Sequence, residues 1–272
     1  MMLDLHNDLL TSALSGEDKD NKIASYIKGG NKVVLALWAD DGESFGYNYL
    51  KEITDKYSNS DNIYISLENC GYITDKTLHG IAGLPLLCAS LTWNTDNSLG
   101  GGAYGKNGLS AMGKKVVRAF VKNGIVIDTA HANLRTFYDI VSMSGVSVVN
   151  THTLSYDVYP HRRNITSEQI GLIKERGGVV GITLVRAFVG AEVYGYRVIR
   201  HIDWIVQKHG IDCVSIGTDY YGSADIPKFV SDYDKLEDYL TRGLGKLGYT
   251  KEAINKILFG NADSFINRHT KT

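Results

Sequence analysis

Short runs of aliphatic and β-branched residues recur along the chain, separated by longer stretches whose apolar positions fall three or four apart. The clearest case lies between 125 and 152. Ile125, Val126 and Ile127 open one run and Val146, Val148 and Val149 another, with a polar stretch of helical character between them. Two such strands joined by one helix make a βαβ unit, because parallel strands need a helical crossover to pair again. The same reading predicts strands at 2–5, 33–38, 63–67, 84–93, 125–131, 146–152, 179–184 and 214–217. Helices are expected at 47–57, 109–123, 133–144, 167–176, 193–208, 235–247, 250–258 and 261–267. Residues 9–14 are expected to be loop or helix, and the polar segment 15–31 to hold one weak helical turn at 24–28. The glycines at 100, 101, 102, 105 and 108 make 94–108 a loop, since that much glycine loses too much backbone entropy in regular structure. Eight strands alternating with helices predict an α/β fold, a single (β/α)₈ TIM-like barrel spanning 1–272.

In such a barrel the carboxyl ends of all strands lie on one rim, where the chemistry sits. The first strand delivers His6 and Asp8, the third Glu68, the fifth His131, the sixth His152 and the eighth Asp219. Taken singly, each has an ordinary explanation. Asp8 could cap a helix, Glu68 could be a solvated loop residue, Asp219 could form a turn before Gly222, and a lone histidine after a strand is usually half-buried and hydrogen-bonded. Together on one rim they read as a metal-dependent hydrolase site. Histidine and carboxylate without cysteine suit zinc, and also manganese, cobalt or iron. With Glu68 between the pair His6 and Asp8 and the pair His131 and His152, two divalent ions would each gain about three protein ligands and share a water that ionises at neutral pH. His79, His161, His201, His209 and His269 fall in loops or helices and read mostly as surface residues.

Composition narrows the class. The 272 residues are 43% hydrophobic, enough for a substantial core, and the net charge of −1 gives no footprint for nucleic acid or an anionic membrane. Cys70, Cys88 and Cys213 have no paired spacing, which argues against a disulfide scaffold or a thiolate zinc site. The first eight residues lack a basic leader and carry two acids, and no apolar run is long enough to span a bilayer. A cytoplasmic protein is expected.

The chain resembles the membrane (renal) dipeptidase family of binuclear zinc metallopeptidases from end to end. The matching pieces are Asp4-Leu5-His6-Asn7-Asp8, Ile65-Ser66-Leu67-Glu68, Leu91-Thr92-Trp93-Asn94 and Gly108-Leu109-Ser110. They continue through Ile127-Asp128-Thr129-Ala130-His131, Asn150-Thr151-His152, Arg162-Arg163-Asn164, Gly177-Gly178-Val179-Val180-Gly181 and Ile216-Gly217-Thr218-Asp219. The resemblance implies that His6 and Asp8 bind one metal, His131 and His152 the other, and Glu68 both. It further implies that Asp219 handles protons and that Arg163 holds the substrate's terminal carboxylate, although Arg162 beside it is an equal candidate by chemistry alone. Three positions depart from the better-studied members. Trp93 stands where they have a carbonyl-polarising histidine, Tyr221 where they often have a second aspartate, and Phe188 about where a substrate-contacting tyrosine is expected. A short member of the family is expected, without the leader and lipid-anchor tail of membrane-bound members.

The expected activity is hydrolysis of small dipeptides with two divalent ions, zinc being the favoured metal. The alternatives are another metal-dependent hydrolase acting on a lactone, cyclic amide or phosphoester, and a non-catalytic relative that binds metal or a small molecule. If the chain associates at all, an isologous homodimer is the default expectation.

Overall fold

The structure is a computed structural model that describes residues 1–190 and 194–270. Its eight parallel strands close into a barrel in chain order. They are β1 (Leu3–Asn7), β2 (Lys32–Trp38), β3 (Ile63–Glu68), β4 (Cys88–Ser90), β5 (Val126–Asp128), β6 (Val148–Thr153), β7 (Val180–Ile182) and β8 (Val214–Ile216). Around them run α1 (Gly16–Tyr26), α2 (Tyr47–Tyr57), α3 (Asp75–Ala82), α4 (Ala111–Lys122), α5 (Leu134–Val141) and α6 (Ser167–Glu175). After these come α7 (Arg186–Val189), α8 (Tyr194–His209), α9 (Tyr233–Lys246), α10 (Lys251–Asn255) and α11 (Asn261–Thr270), the last two joined by one π-helical stretch at Lys256–Gly260.

Alternation along the strands sorts the core into two layers. Leu3, Leu5, Val34, Cys88, Val126 and Val149 form one cluster with Ala262, Phe265 and Ile266 of α11, so the last helix packs into the barrel's own core. Residues of the other parity, such as Val33, Leu35, Ile65, Ile127 and Val148, belong to a larger cluster shared with the surrounding helices. Burial on both faces is why the strands read as continuous apolar runs. All three cysteines are buried and free.

Several expectations need correction. The segment 15–31 holds a full eleven-residue helix, not one weak turn, capped by Ser15 accepting from the Asp18 amide. Only Ile23 and Tyr26 of α1 are buried, so it shows almost no apolar stripe. Helix α3 was not expected. It starts with a reciprocal capping pair between Thr74 and Thr77 and buries Leu78, Ile81 and Ala82. The fourth strand shrinks to Cys88–Ser90, because Leu86 sits in a turn with its amide donating to the Leu84 carbonyl, and Thr92 and Trp93 leave the strand as loop. Residues 9–14 form turns, and the expected start of α8 at 193 lies outside the described residues.

His201 was read with the surface histidines but is fully buried in α8. Its Nδ1 accepts from the Ser155 amide at 3.2 Å and its Nε2 faces the Val189 carbonyl at 3.4 Å, an arrangement that a neutral ring with one proton satisfies. Burial lowers its pKa to about 4. Between about 6.5 and 4 the unfolded chain therefore binds the proton that the folded chain refuses, so His201 subtracts stability as pH falls. The expected loss between pH 7 and 4 is on the order of 3 kcal/mol. Urea unfolding of the wild type and of His201→Gln across that range measures it, and a pH-independent difference between the two proteins would count against the assignment.

Candidate metal centre

Two strands carry irregularities where the candidate ligands sit. On β1, Asp4 pairs with Val33 and Asn7 with Leu35, so three steps on one strand match two on its neighbour. On β6, Asn150 pairs with Val180 and Thr153 with Ile182 in the same way. A bulge of this kind breaks the strict alternation of side chains and re-aims them. Beyond the strands, the Asp8 amide donates to the Tyr220 carbonyl at 2.8 Å and the Asp219 amide to the His6 carbonyl at 3.1 Å. These bonds lace the exits of β1 and β8 together and bring Asp219 against Asp8. Only glycine fits at 222, since a Cβ there would lie 2.2 Å from both the Asp219 and Asp8 carboxylates. His131, Asp219 and Tyr221 adopt left-handed backbone with φ of 65°, 64° and 68°. Strain in non-glycine residues of this kind gathers at functional sites.

The result is one buried cluster. His6 Nε2 lies 3.1 Å from Asp8 Oδ2 and 3.2 Å from Glu68 Oε2. His131 Nε2 lies 2.8 Å from Glu68 Oε1 and 2.9 Å from His152 Nε2, and His152 Nε2 is 3.8 Å from Glu68 Oε1. Glu68 thus turns one oxygen to each histidine group. His6, Asp8 and Glu68 on one side, and Glu68, His131 and His152 on the other, each bring their ligand atoms within 4.8 Å of one another. The donor set suits a divalent cation on two counts. Asp8 Oδ1 is buried without a hydrogen-bond partner among the described residues, and imidazole nitrogens and carboxylate oxygens face each other across the gap.

The charges respond to this crowding. Burial opposes the charged form of His6, but the Asp8 and Glu68 carboxylates outweigh it and raise the pKa well above the usual value. Burial would raise Glu68, yet His6 and His131 pull it well below the ordinary carboxylate range. Burial, together with the Arg163 charge, drops His131 to about 4. Burial, joined by the like charge of Asp8, lifts Asp219 well above a normal aspartate.

Arg163 and Arg162 are told apart here. Arg162 is exposed and lies over the Tyr104 ring at 5.5 Å, whereas Arg163 is buried under the Phe188 ring at 5.3 Å. Arg163 Nε and Nη2 have no hydrogen-bond partner among the described residues. A cavity of about 330 Å³ joins this guanidinium to Asp8, Glu68, His131, Asp219, Trp93, Phe188 and Tyr221, so most of the expected site residues line a single space. His6 and His152 sit below it in the cluster. Trp93 stands edge-on to Trp38 at 5.2 Å and 6.1 Å from the His131 ring, part of an aromatic wall. Tyr221, partly exposed, sits at the rim with its hydroxyl 3.4 Å from that of Tyr26.

Sequence reasoning missed the groups that hold the candidate ligands. His131 Nδ1 meets Asn94 Oδ1 at 3.0 Å, and the Thr151 hydroxyl meets Asp128, His152 and His6. Asp128 and Thr151 lie beside the histidines in sequence, but nothing in the spacing says which way they point.

The sequence profile described as Membrane dipeptidase (Peptidase family M19) matches residues 43–266. The chain belongs to the membrane dipeptidase family. Members of this family are metallopeptidases, and the chain is accordingly a hydrolase, a metal-dependent dipeptidase using divalent metal. The match begins after His6 and Asp8, so the case for those two residues is geometric. A protein of Klebsiella pneumoniae, described as an uncharacterised protein in the pqqA 5′ region, is 30% identical over 185 residues, covering 62% of this chain and 67% of that one. Among solved structures, a metallopeptidase from Rhodobacter sphaeroides liganded with a phosphinate mimic of L-Ala-D-Ala superposes with a TM-score of 0.81 at 20% identity, over 98% of this chain and 99% of that one. A probable dipeptidase, PvdM, from Pseudomonas aeruginosa gives 0.69 at 17% identity, over 94% and 79%. At these identities the structures speak for the shared barrel. Despite the family's name, no helix among the described residues is long and apolar enough to cross a membrane.

Proposed function

We propose that this membrane dipeptidase family member is a zinc enzyme with two ions, hydrolysing small dipeptides whose free carboxylate is held by Arg163. The observation that carries the reading is the buried guanidinium with two nitrogens unpartnered among the described residues, in the wall of the cavity that also holds Glu68, His131 and Asp219. An unpaired buried cation is unfavourable in the free protein and calls for an anion in the complex. A planar fork suits a carboxylate, and a cavity of about 330 Å³ suits a ligand of few residues.

His6 and Asp8 would hold one ion, His131 and His152 the other, and Glu68 both. When bound, such ions supply Lewis-acid charge and a water that ionises near neutral pH. Asp219, buried beside Asp8, accepts a proton from the nucleophile and returns it to the leaving amine. Arg163 orients the substrate so that its scissile bond meets the cluster, and the reach from the guanidinium sets the length limit. Trp93, Phe188 and Tyr221 present rings to the substrate's side chains. The Rhodobacter protein's ligand, a phosphinate mimic of the dipeptide L-Ala-D-Ala, supports a small dipeptide as the substrate class.

The test is hydrolysis of L-L and L-D dipeptides, with N-acetylated and C-amidated versions, by metal-stripped protein with and without zinc. Activity should return with about two zinc ions per chain and disappear on C-amidation. Equal turnover of amidated substrates would remove the carboxylate clamp, and full activity without metal would remove the whole reading.

A further inference from the structure

The Thr151 hydroxyl lies at the meeting point of three buried groups. It is 2.6 Å from Asp128 Oδ2, 3.0 Å from His152 Nδ1 and 3.4 Å from His6 Nδ1. A hydroxyl has one proton to donate and two lone pairs to accept with. The Asp128 carboxylate can only accept, so it takes that proton. Both lone pairs then face imidazole nitrogens, and each is satisfied only if that nitrogen carries a proton. His6 and His152 are thereby held as Nδ1–H tautomers, with Nε2 of each turned toward Glu68.

Asp128, His6 and His152 have the makeup of a third metal cluster, their ligand atoms lying within 4.8 Å of one another. The hydroxyl fills the space between them and makes the trio a hydrogen-bonded hub. Its anchors are firm. Asp128 Oδ1 also accepts from the Ala130 amide at 2.9 Å and the Thr151 amide at 3.1 Å. The backbone at Thr151 is wedged by Gly181 and Gly217, where a Cβ would come within 1.9 and 1.7 Å of the Thr151 carbonyl oxygen. His131 is supported separately, by Asn94.

We propose that Thr151, held by Asp128, is a positioning residue shared by both halves of the metal centre, so that one hydroxyl orients a ligand of each ion. The inference rests on the ligand assignment of the proposed function. Partners of this kind that orient a metal's histidines are worth about 10- to 100-fold in metal affinity. Because this one serves both halves, its loss is felt at both.

The experiment compares zinc isotherms of metal-stripped wild type, Thr151→Val, Thr151→Ser and Asn94→Ala, by competition with a chromophoric chelator. Circular dichroism and Tm of the metal-free proteins check folding. Thr151→Val should weaken both zinc sites by about 10- to 100-fold, Thr151→Ser should restore them, and Asn94→Ala should weaken one. Imidazole ¹⁵N spectra of the zinc-loaded wild type should show Nδ1–H on two ligand histidines of the hub. If Thr151→Val does not fold, Asp128→Asn gives the same reading, because the amide can donate to the hydroxyl and turn its proton toward an imidazole. Wild-type affinity at both sites in folded Thr151→Val, or weakening of one site alone, overturns the shared hub. A wild type that binds no zinc overturns instead the ligand assignment beneath it.

Discussion

Glu68→Gln should empty both halves of the metal centre and abolish hydrolysis together. Glu68 offers one oxygen to His6 at 3.2 Å and the other to His131 at 2.8 Å, so it is the one carboxylate common to both candidate triads. Glutamine keeps the shape but replaces one oxygen by an amide that donates, and it removes the negative charge from both triads. Loss of an outer hydrogen bond to a ligand already weakens a metal by 10- to 100-fold, so loss of a shared charged ligand should exceed about 100-fold at each half. The measurement is zinc stoichiometry at micromolar concentration alongside kcat. Retention of one tightly bound ion would show that Glu68 serves one metal only.

Arg163→Met should separate activity from stability. On the proposed function the buried guanidinium would contribute its binding only when a carboxylate arrives, and truncating one partner of such a pair costs about 2–5 kcal/mol, roughly 30- to 5000-fold in kcat/KM. The loss should appear chiefly in KM, since on the proposed function Arg163 would hold a part of the substrate remote from the breaking bond. In the free protein the same substitution removes a buried cation whose Nε and Nη2 are unpartnered among the described residues, and methionine fills a similar volume. Tm of the metal-free protein should therefore hold or rise. A fall in Tm with kcat/KM unchanged would make Arg163 a structural residue, and Arg162, exposed over Tyr104, would not replace it.

The barrel was legible because a strand buried on both faces must be apolar along its length. The runs at 33–38 and 63–67 therefore announced β2 and β3 to within a residue. The helices α1 and α3 were not legible. Helix α1 buries only Ile23 and Tyr26, too few to make a stripe, and α3 signals its start through a pair of threonines rather than the commoner acidic cap. The expected site residues were likewise legible as types at strand ends, because topology alone puts those ends on one rim.

What residue order determined, then, is the closed barrel and the set of histidines, carboxylates and arginines available at its mouth. The tertiary structure alone decided how they meet. The bulges in β1 and β6 let His6, Thr151 and His152 converge against the alternation of their strands. Burial separated Arg163 from Arg162, which are chemically identical neighbours in the chain. It also brought Asp128 to the Thr151 hydroxyl and Asn94 to His131, contacts that span 23 and 37 residues of sequence. The physical reason is range. Apolar periodicity is a local property of the chain, whereas the direction of a side chain at a strand end is set by hydrogen bonds to residues far away in sequence.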